Sequence, residues 1–142
     1  MKHVVEISGS SHVDARGKLI FFNTFDMGQI VRFYSIEPSS VNVVRAWQGH
    51  KLEKKWFYCT AGSFVINLVK VDDFEHPSKQ LNVERFVVSA AEPKILALPK
   101  GYANGFKALV EGSKLMVFSN ASLTESQQDD YRYSIEQWAA QW

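Results

Sequence analysis

The chain carries one cysteine, Cys59, in 142 residues. A lone thiol closes no internal disulfide and has no partner at metal-ligand spacing, so a disulfide scaffold and a thiolate zinc site are both excluded. Its plain reading is a small buried side chain within a strand, in a reducing compartment. Charge of one sign is equally scarce: sixteen Lys and Arg face fifteen Asp and Glu, a formal net of +1. That balance gives neither the basic footprint of a duplex-binding protein nor an acidic tail, so nucleic acid is not an expected partner. Long apolar runs are missing too. None approaches the roughly 20 residues that span a bilayer, and the opening "MKHVVEISGSSHVD" lacks the apolar core of a signal peptide. A soluble, cytoplasmic protein without membrane contact is expected. With no linker, internal repeat or low-complexity segment in it, the chain reads as one domain over residues 1–142.

What the sequence does hold is strand-forming material. Nearly half of it is hydrophobic and 13% aromatic, arranged in short runs such as "IVRFYSI", "VNVVRAW", "KKWFYCT", "FVINLVKV", "ERFVVSA" and "KLMVFS". Turn chemistry separates them, in "ARGK", "EPSS", "TAGS", "PKGYANG" and "EGS", which is the pattern of an all-β sandwich or barrel. In one run Phe64, Ile66 and Leu68 oppose Val65, Asn67 and Val69, apolar on nearly every position of both faces. Such a strand is covered on both sides, by a second sheet of a jelly roll or by a dimer interface. Near the end Ile135, Trp138, Ala139 and Trp142 recur at helical spacing, and Ser134 with Gln137 has the form of a capping box. A short C-terminal helix starting near Ser134 is predicted, with Trp138 as a packing anchor.

Chemistry concentrates in two segments. Arg45 lies in an otherwise apolar strand, where a charge must be paired or face a cavity. The aromatic residues Trp47, Trp56, Phe57 and Tyr58 follow, able to stack a base or sugar and equally able to pack a core. The spacing of this region resembles the first motif of metal-binding cupin barrels, two histidines, a glutamate and a turn glycine. Aligned on Gly62, that frame puts Gln48 and His50 at the histidines and Lys55 at the glutamate. The second cupin motif resembles "PKGYAN", with Asn104 at its histidine. Divalent metals need carboxylate and neutral imidazole, whereas a lysine ammonium aimed at the same point repels them, so no metal and no other cofactor is expected. Arg45, Lys55, His50 and the amides of Gln48 and Asn104 instead suit an anionic ligand.

"DARG" (14–17), "RAWQGH" (45–50), "KKWFYCTAG" (54–62) and "LPKGYANGF" (98–106), together with the tail "SLTESQQDDYRYSIEQW", resemble in order the motifs of the dTDP-4-dehydrorhamnose 3,5-epimerases and the related dTDP-4-keto-hexose 3,4-ketoisomerases. The resemblance implies a double-stranded β-helix, the cupin jelly roll, working without metal as a homodimer on a dTDP-linked 4-keto sugar in deoxysugar biosynthesis. It implies that Arg45 holds the diphosphate, Lys55 faces a developing oxyanion, and Arg16 braces its turn or reaches a neighbouring subunit's nucleotide. Gln48 stands where the epimerases keep their basic histidine, and Asn120, Ala121 or Ser122 where they keep a tyrosine acid. His50 and Tyr34 match a histidine and a tyrosine of the ketoisomerases. On this resemblance His50, Lys55 and Tyr34 are the catalytic candidates, with Arg45, Gln48, Asn104, Arg16 and Trp47 in substrate binding. A non-catalytic sugar-nucleotide-binding or regulatory cupin is the alternative from another class.

Overall fold

β-Branched and aromatic runs become strands where their alternate side chains reach a shared interior. The computed structural model describes residues 2–142. Its strands are β1 (Val5–Ser8), β2 (Ser10–Asp14), β3 (Gly17–Phe21), β4 (Arg32–Ile36), β5 (Val44–His50) and β6 (Lys55–Ala61). They continue with β7 (Ser63–Lys70), β8 (Val83–Ser89), β9 (Lys94–Leu98), β10 (Tyr102–Ala108), β11 (Lys114–Ser119) and β12 (Tyr131–Arg132), and one α-helix, α1, spans Leu123–Gln127. Two five-stranded antiparallel sheets form, ordered β1-β9-β6-β11-β4 and β12-β5-β10-β7-β8. Between them lies the main core, which includes Phe57, Phe64, Ile66, Leu68, Leu96, Leu115 and Val117. This is the two-sheet jelly roll expected from the strand pattern.

The doubly apolar strand β7 is buried on both faces. Phe64, Ile66 and Leu68 enter the main core, while Val69 joins a second cluster with Trp47, Ala103 and Trp138. What covers that second face is the chain's own C-terminal segment. Trp138 packs edge-on against Trp47 at 5.3 Å, and the Asn67 amide donates to the Gln141 carbonyl at 2.9 Å. Trp142 approaches so closely that a Cβ on Gly105 would lie 2.6 Å from its ring and 2.8 Å from the Ala46 methyl. Gly105→Ala is therefore expected to destabilise the fold by about 1–3 kcal/mol, read from the midpoint of urea unfolding. An unchanged midpoint would mean that the tail is not seated there.

The expected helix at Ser134 is corrected to a single 3₁₀ turn over Ile135–Gln137, and the Ser134 side chain makes no capping hydrogen bond. The helical spacing is overridden because this backbone pairs with strand β5. Trp47 N–H donates to the Tyr133 carbonyl at 3.1 Å, Tyr133 N–H donates back at 3.2 Å, and the Trp138 indole is held by the Ser78 carbonyl at 2.7 Å. The short helix of the C-terminal region is α1 instead, opened by a capping box of Ser122 and Glu125. Among the described residues no helix is long and apolar enough to cross a membrane.

Candidate functional site

The two motif segments meet because β5 and β10 are neighbours in one sheet. Gln48 pairs directly with Asn104 and His50 with Tyr102, and the Asn104 side-chain amide donates to the Gln48 carbonyl at 3.2 Å. Lys55 belongs to the other sheet, on β6, and reaches across the barrel. Its Nζ donates to Gln48 Oε1 at 3.1 Å, Gln48 Nε2 donates to Asp130 Oδ1 at 3.1 Å, and Arg132 Nε donates to the same oxygen at 2.7 Å. The motif positions Gln48 and Lys55 thus close on each other, with an amine nitrogen at the centre.

Lys55 is 3% exposed, and among the described residues no carboxylate lies within salt-bridge distance of it. Burial pulls its pKa from 10.5 down to about 8; the nearby Glu53 charge opposes the drop, and Arg32 and Arg132 add to it. Tyr34 moves the other way. Burial and the Glu53 charge push its phenol to about 12, so it stays protonated and can donate a hydrogen bond. The Arg32 guanidinium lies 5.3 Å over the Tyr34 ring.

A second network, buried behind the first, is built on Glu53. Its carboxylate, wholly buried, accepts from Arg32 Nη2 at 3.2 Å, Ser119 Oγ at 2.5 Å and Ser126 Oγ at 3.0 Å, and faces His50 Nδ1 at 3.1 Å. His50 Nδ1 also lies 2.5 Å from the Asp129 carbonyl. Two acceptors on one ring nitrogen assign the proton to Nδ1 and leave Nε2 as a bare acceptor. Nε2 is buried without a partner. Burial first, and then the Lys55 charge, lower the His50 pKa, which keeps the ring neutral at neutral pH. The Asp129 carboxylate fixes the intervening turn by accepting the backbone N–H groups of Lys51, Leu52 and Glu53 at 2.7, 2.9 and 2.9 Å.

A cavity of about 590 Å³ opens beside the first network. Strands β4, β5, β6 and β10 contribute Tyr34, Arg45, Gln48, Lys55 and Asn104, and α1 with the following segment closes one side through Ser126, Gln127, Asp130 and Tyr133. Its lining holds four cations, Arg32, Arg45, Lys55 and Arg132, against one carboxylate, Asp130. Among the described residues no group of three His, Cys, Asp or Glu side chains is assembled around a common point for a metal ion.

Of the residues singled out in the sequence, Tyr34, Arg45, Gln48, Lys55 and Asn104 converge on this cavity. Trp47 borders it, but its side chain is 1% exposed and packs against Trp138 and Trp142 on the sheet's far face. His50 lies outside the lining. Arg16 is at the tip of the β2–β3 hairpin, where it braces the turn, its Nη2 2.6 Å from the Asp14 carboxylate. Arg32, Glu53, Asp129, Asp130 and Arg132 were not foreseen. Arg32 carried the same signal as Arg45, a charge inside an apolar run.

No protein-family model and no curated protein matches the chain. Solved structures do. The RmlC epimerase of Mycobacterium tuberculosis superposes with a TM-score of 0.76 at 22% identity, over 93% of this chain and 69% of that one. QdtA, a sugar 3,4-ketoisomerase from Thermoanaerobacterium thermosaccharolyticum solved with TDP, gives 0.72 at 20%, over 96% and 93%. The TDP-quinovose 3,4-ketoisomerase WlaRB of Campylobacter jejuni gives 0.70 at 21%, over 96% and 98%. At such identities the likeness speaks for the fold alone, and the two antiparallel sheets of this chain form the same jelly roll as these structures.

Proposed function

We propose that this protein is a metal-independent isomerase of a dTDP-linked 4-keto-6-deoxyhexose, serving deoxysugar biosynthesis in the cytoplasm. The observation that carries the reading is the cavity, three arginines and one carboxylate around a buried lysine that, among the described residues, no acid pairs with. A diphosphate supplies the missing negative charge, and Arg45, exposed at the edge of β5, is placed to bind it in bidentate fashion. Deeper in, Lys55, Tyr34 and Arg32 surround the place where a ketone oxygen would gain charge on enolisation, and Gln48 and Asn104 orient hydroxyls. The 3,4-ketoisomerase reaction is favoured over 3,5-epimerisation. Gln48, an amide, fills the position that the epimerases give to their basic histidine.

Product analysis by NMR after incubation with dTDP-4-keto-6-deoxyglucose tests this. A ketone that moves to the adjacent carbon supports it, and unchanged substrate refutes it. A non-catalytic sugar-nucleotide-binding cupin is the second reading, favoured by a Gln48 amide already engaged at both ends. Both readings require the anion site. dTDP at a hundred times its dissociation constant is expected to add about 2.7 kcal/mol of stability, and Arg45→Met to remove most of that gain in a thermal-shift assay while the free protein stays folded. A full shift in the variant would move the diphosphate elsewhere.

A homodimer is part of the proposal. The β2–β3 ribbon forms its own two-stranded sheet, with Val13 69% and Leu19 61% exposed. A two-stranded ribbon is marginal by itself in water, and a second copy of the chain would cover these side chains. Light scattering behind size exclusion should give twice the chain mass; a monomer at micromolar concentration would remove this element.

A further inference from the structure

We infer that Lys55, as the neutral amine, is the base that takes the proton from the substrate carbon beside the ketone and gives it back to the neighbouring carbon. The inference rests on the isomerase reading above and names the group that moves the proton.

Gln48 is an amide and has no basic lone pair to use. His50 is sealed: its Nδ1 is engaged by Glu53 and the Asp129 carbonyl, its Nε2 has no accessible surface, and the residue does not line the cavity. Tyr34 keeps its phenolic proton and donates. Burial pushes the Asp130 carboxyl up, but hydrogen bonds from Arg132 and Gln48 outweigh it and hold the group below the ordinary carboxylate range, which makes it a poor base.

Lys55 is what remains, and its surroundings favour the amine. Among the described residues its one hydrogen-bond partner is the neutral Gln48 Oε1. Arg32 from β4 and Arg132 from β12 both oppose a further positive charge, and Glu53 and Asp130 favour it. His50 from β5, held neutral, and Tyr34 from β4, held as the phenol, contribute no formal charge. A general base is most effective with a pKa near the working pH, which an ordinary lysine misses and this one meets.

The step balances without a further reagent. The Nζ lone pair forms an N–H bond as the C3–H bond breaks. That electron pair becomes the C3–C4 double bond, and the carbonyl π pair moves to oxygen. The proton of the C3 hydroxyl passes to the former ketone oxygen, and the ammonium returns its proton to C4 while the carbonyl re-forms at C3. The transient enolate charge faces Arg32, Arg132 and the Tyr34 hydroxyl. One base can serve both adjacent carbons, whereas inversion at a carbon demands groups on two faces, so a single lysine fits the ketoisomerase and not the epimerase.

The pH profile of kcat/KM tests the assignment on wild type, Lys55→Arg and Lys55→Ala. Wild type is expected to climb with pH and level off above about 8. Arginine keeps the cation and cannot deprotonate, so Lys55→Arg should lose about 10²–10⁴-fold in turnover with dTDP binding retained. Small primary amines should restore part of the rate to Lys55→Ala, a rescue that stays informative if arginine does not fit the fold. Lys55→Arg turning over within about tenfold of wild type, or a rate flat from pH 6 to 9, would overturn the base role and make Lys55 a fixed cation while leaving the isomerase reading intact. Wild type that binds dTDP and converts no 4-keto sugar would overturn both.

Discussion

Replacing Glu53 with alanine is expected to lower the unfolding free energy by about 3–5 kcal/mol, the usual cost of breaking a buried, hydrogen-bonded ion pair from one side. The carboxylate has no exposed surface and joins elements far apart in sequence. Arg32 reaches it from β4, Ser119 from β11 and Ser126 from α1, while His50 comes from the end of β5. Without it the Arg32 guanidinium, whose side chain is 24% exposed, loses its counter-charge and two hydroxyls lose their acceptor. The loss should appear as a lower urea midpoint with an unchanged slope. A cost below about 1 kcal/mol would show that water enters and replaces the carboxylate.

Lys55→Met is expected to stabilise the protein while abolishing turnover. A folded-state pKa of about 8 against 10.5 means that below pH 8 the folded protein carries an ammonium it would rather lose. The unfolded chain holds that proton more tightly, so stability rises with pH between about 8 and 10.5 and the penalty is fully present below 8. The shift corresponds to about 3 kcal/mol. Methionine removes the charge but leaves Gln48 Oε1 without its donor, so a net gain of about 2 kcal/mol at pH 7 is expected, shrinking to nothing or reversing by pH 10.5. Chemical denaturation of both proteins at pH 7 and pH 10 checks the sign. A variant less stable than wild type at pH 7 would mean that Lys55 is well solvated or paired in the fold.

The strand order and the site differ in how far the sequence reveals them. Runs such as "KKWFYCT" and "KLMVFS" became strands because β-branched and aromatic side chains pack well on a pleated face. β2 was missed because "SSHVD" is exposed along its whole length and follows no apolar alternation. β12, two residues long, leaves no period to detect. At the C-terminus the helical spacing of Ile135, Trp138 and Trp142 was real but reported only that the tryptophans pack on one surface. Motif spacing brought Gln48, Lys55 and Asn104 together correctly, since neighbouring strands convert sequence register into position. No comparable signal linked Glu53 and His50 to Asp129, 76 residues past Glu53 in the chain. That contact places His50 behind the cavity and leaves Lys55 in it.

Solvent deuterium incorporation into dTDP-4-keto-6-deoxyglucose, followed by NMR with limiting enzyme, tests most directly that this cavity transfers protons. Deuterium is expected at C3 of the 4-keto sugar and at C4 of the 3-keto product in wild type, with a rate that rises toward pH 8, and none in Lys55→Met. A wild-type protein that gains thermal stability from dTDP yet neither exchanges a carbon-bound proton nor moves the ketone would contradict the catalytic reading and leave a binding protein.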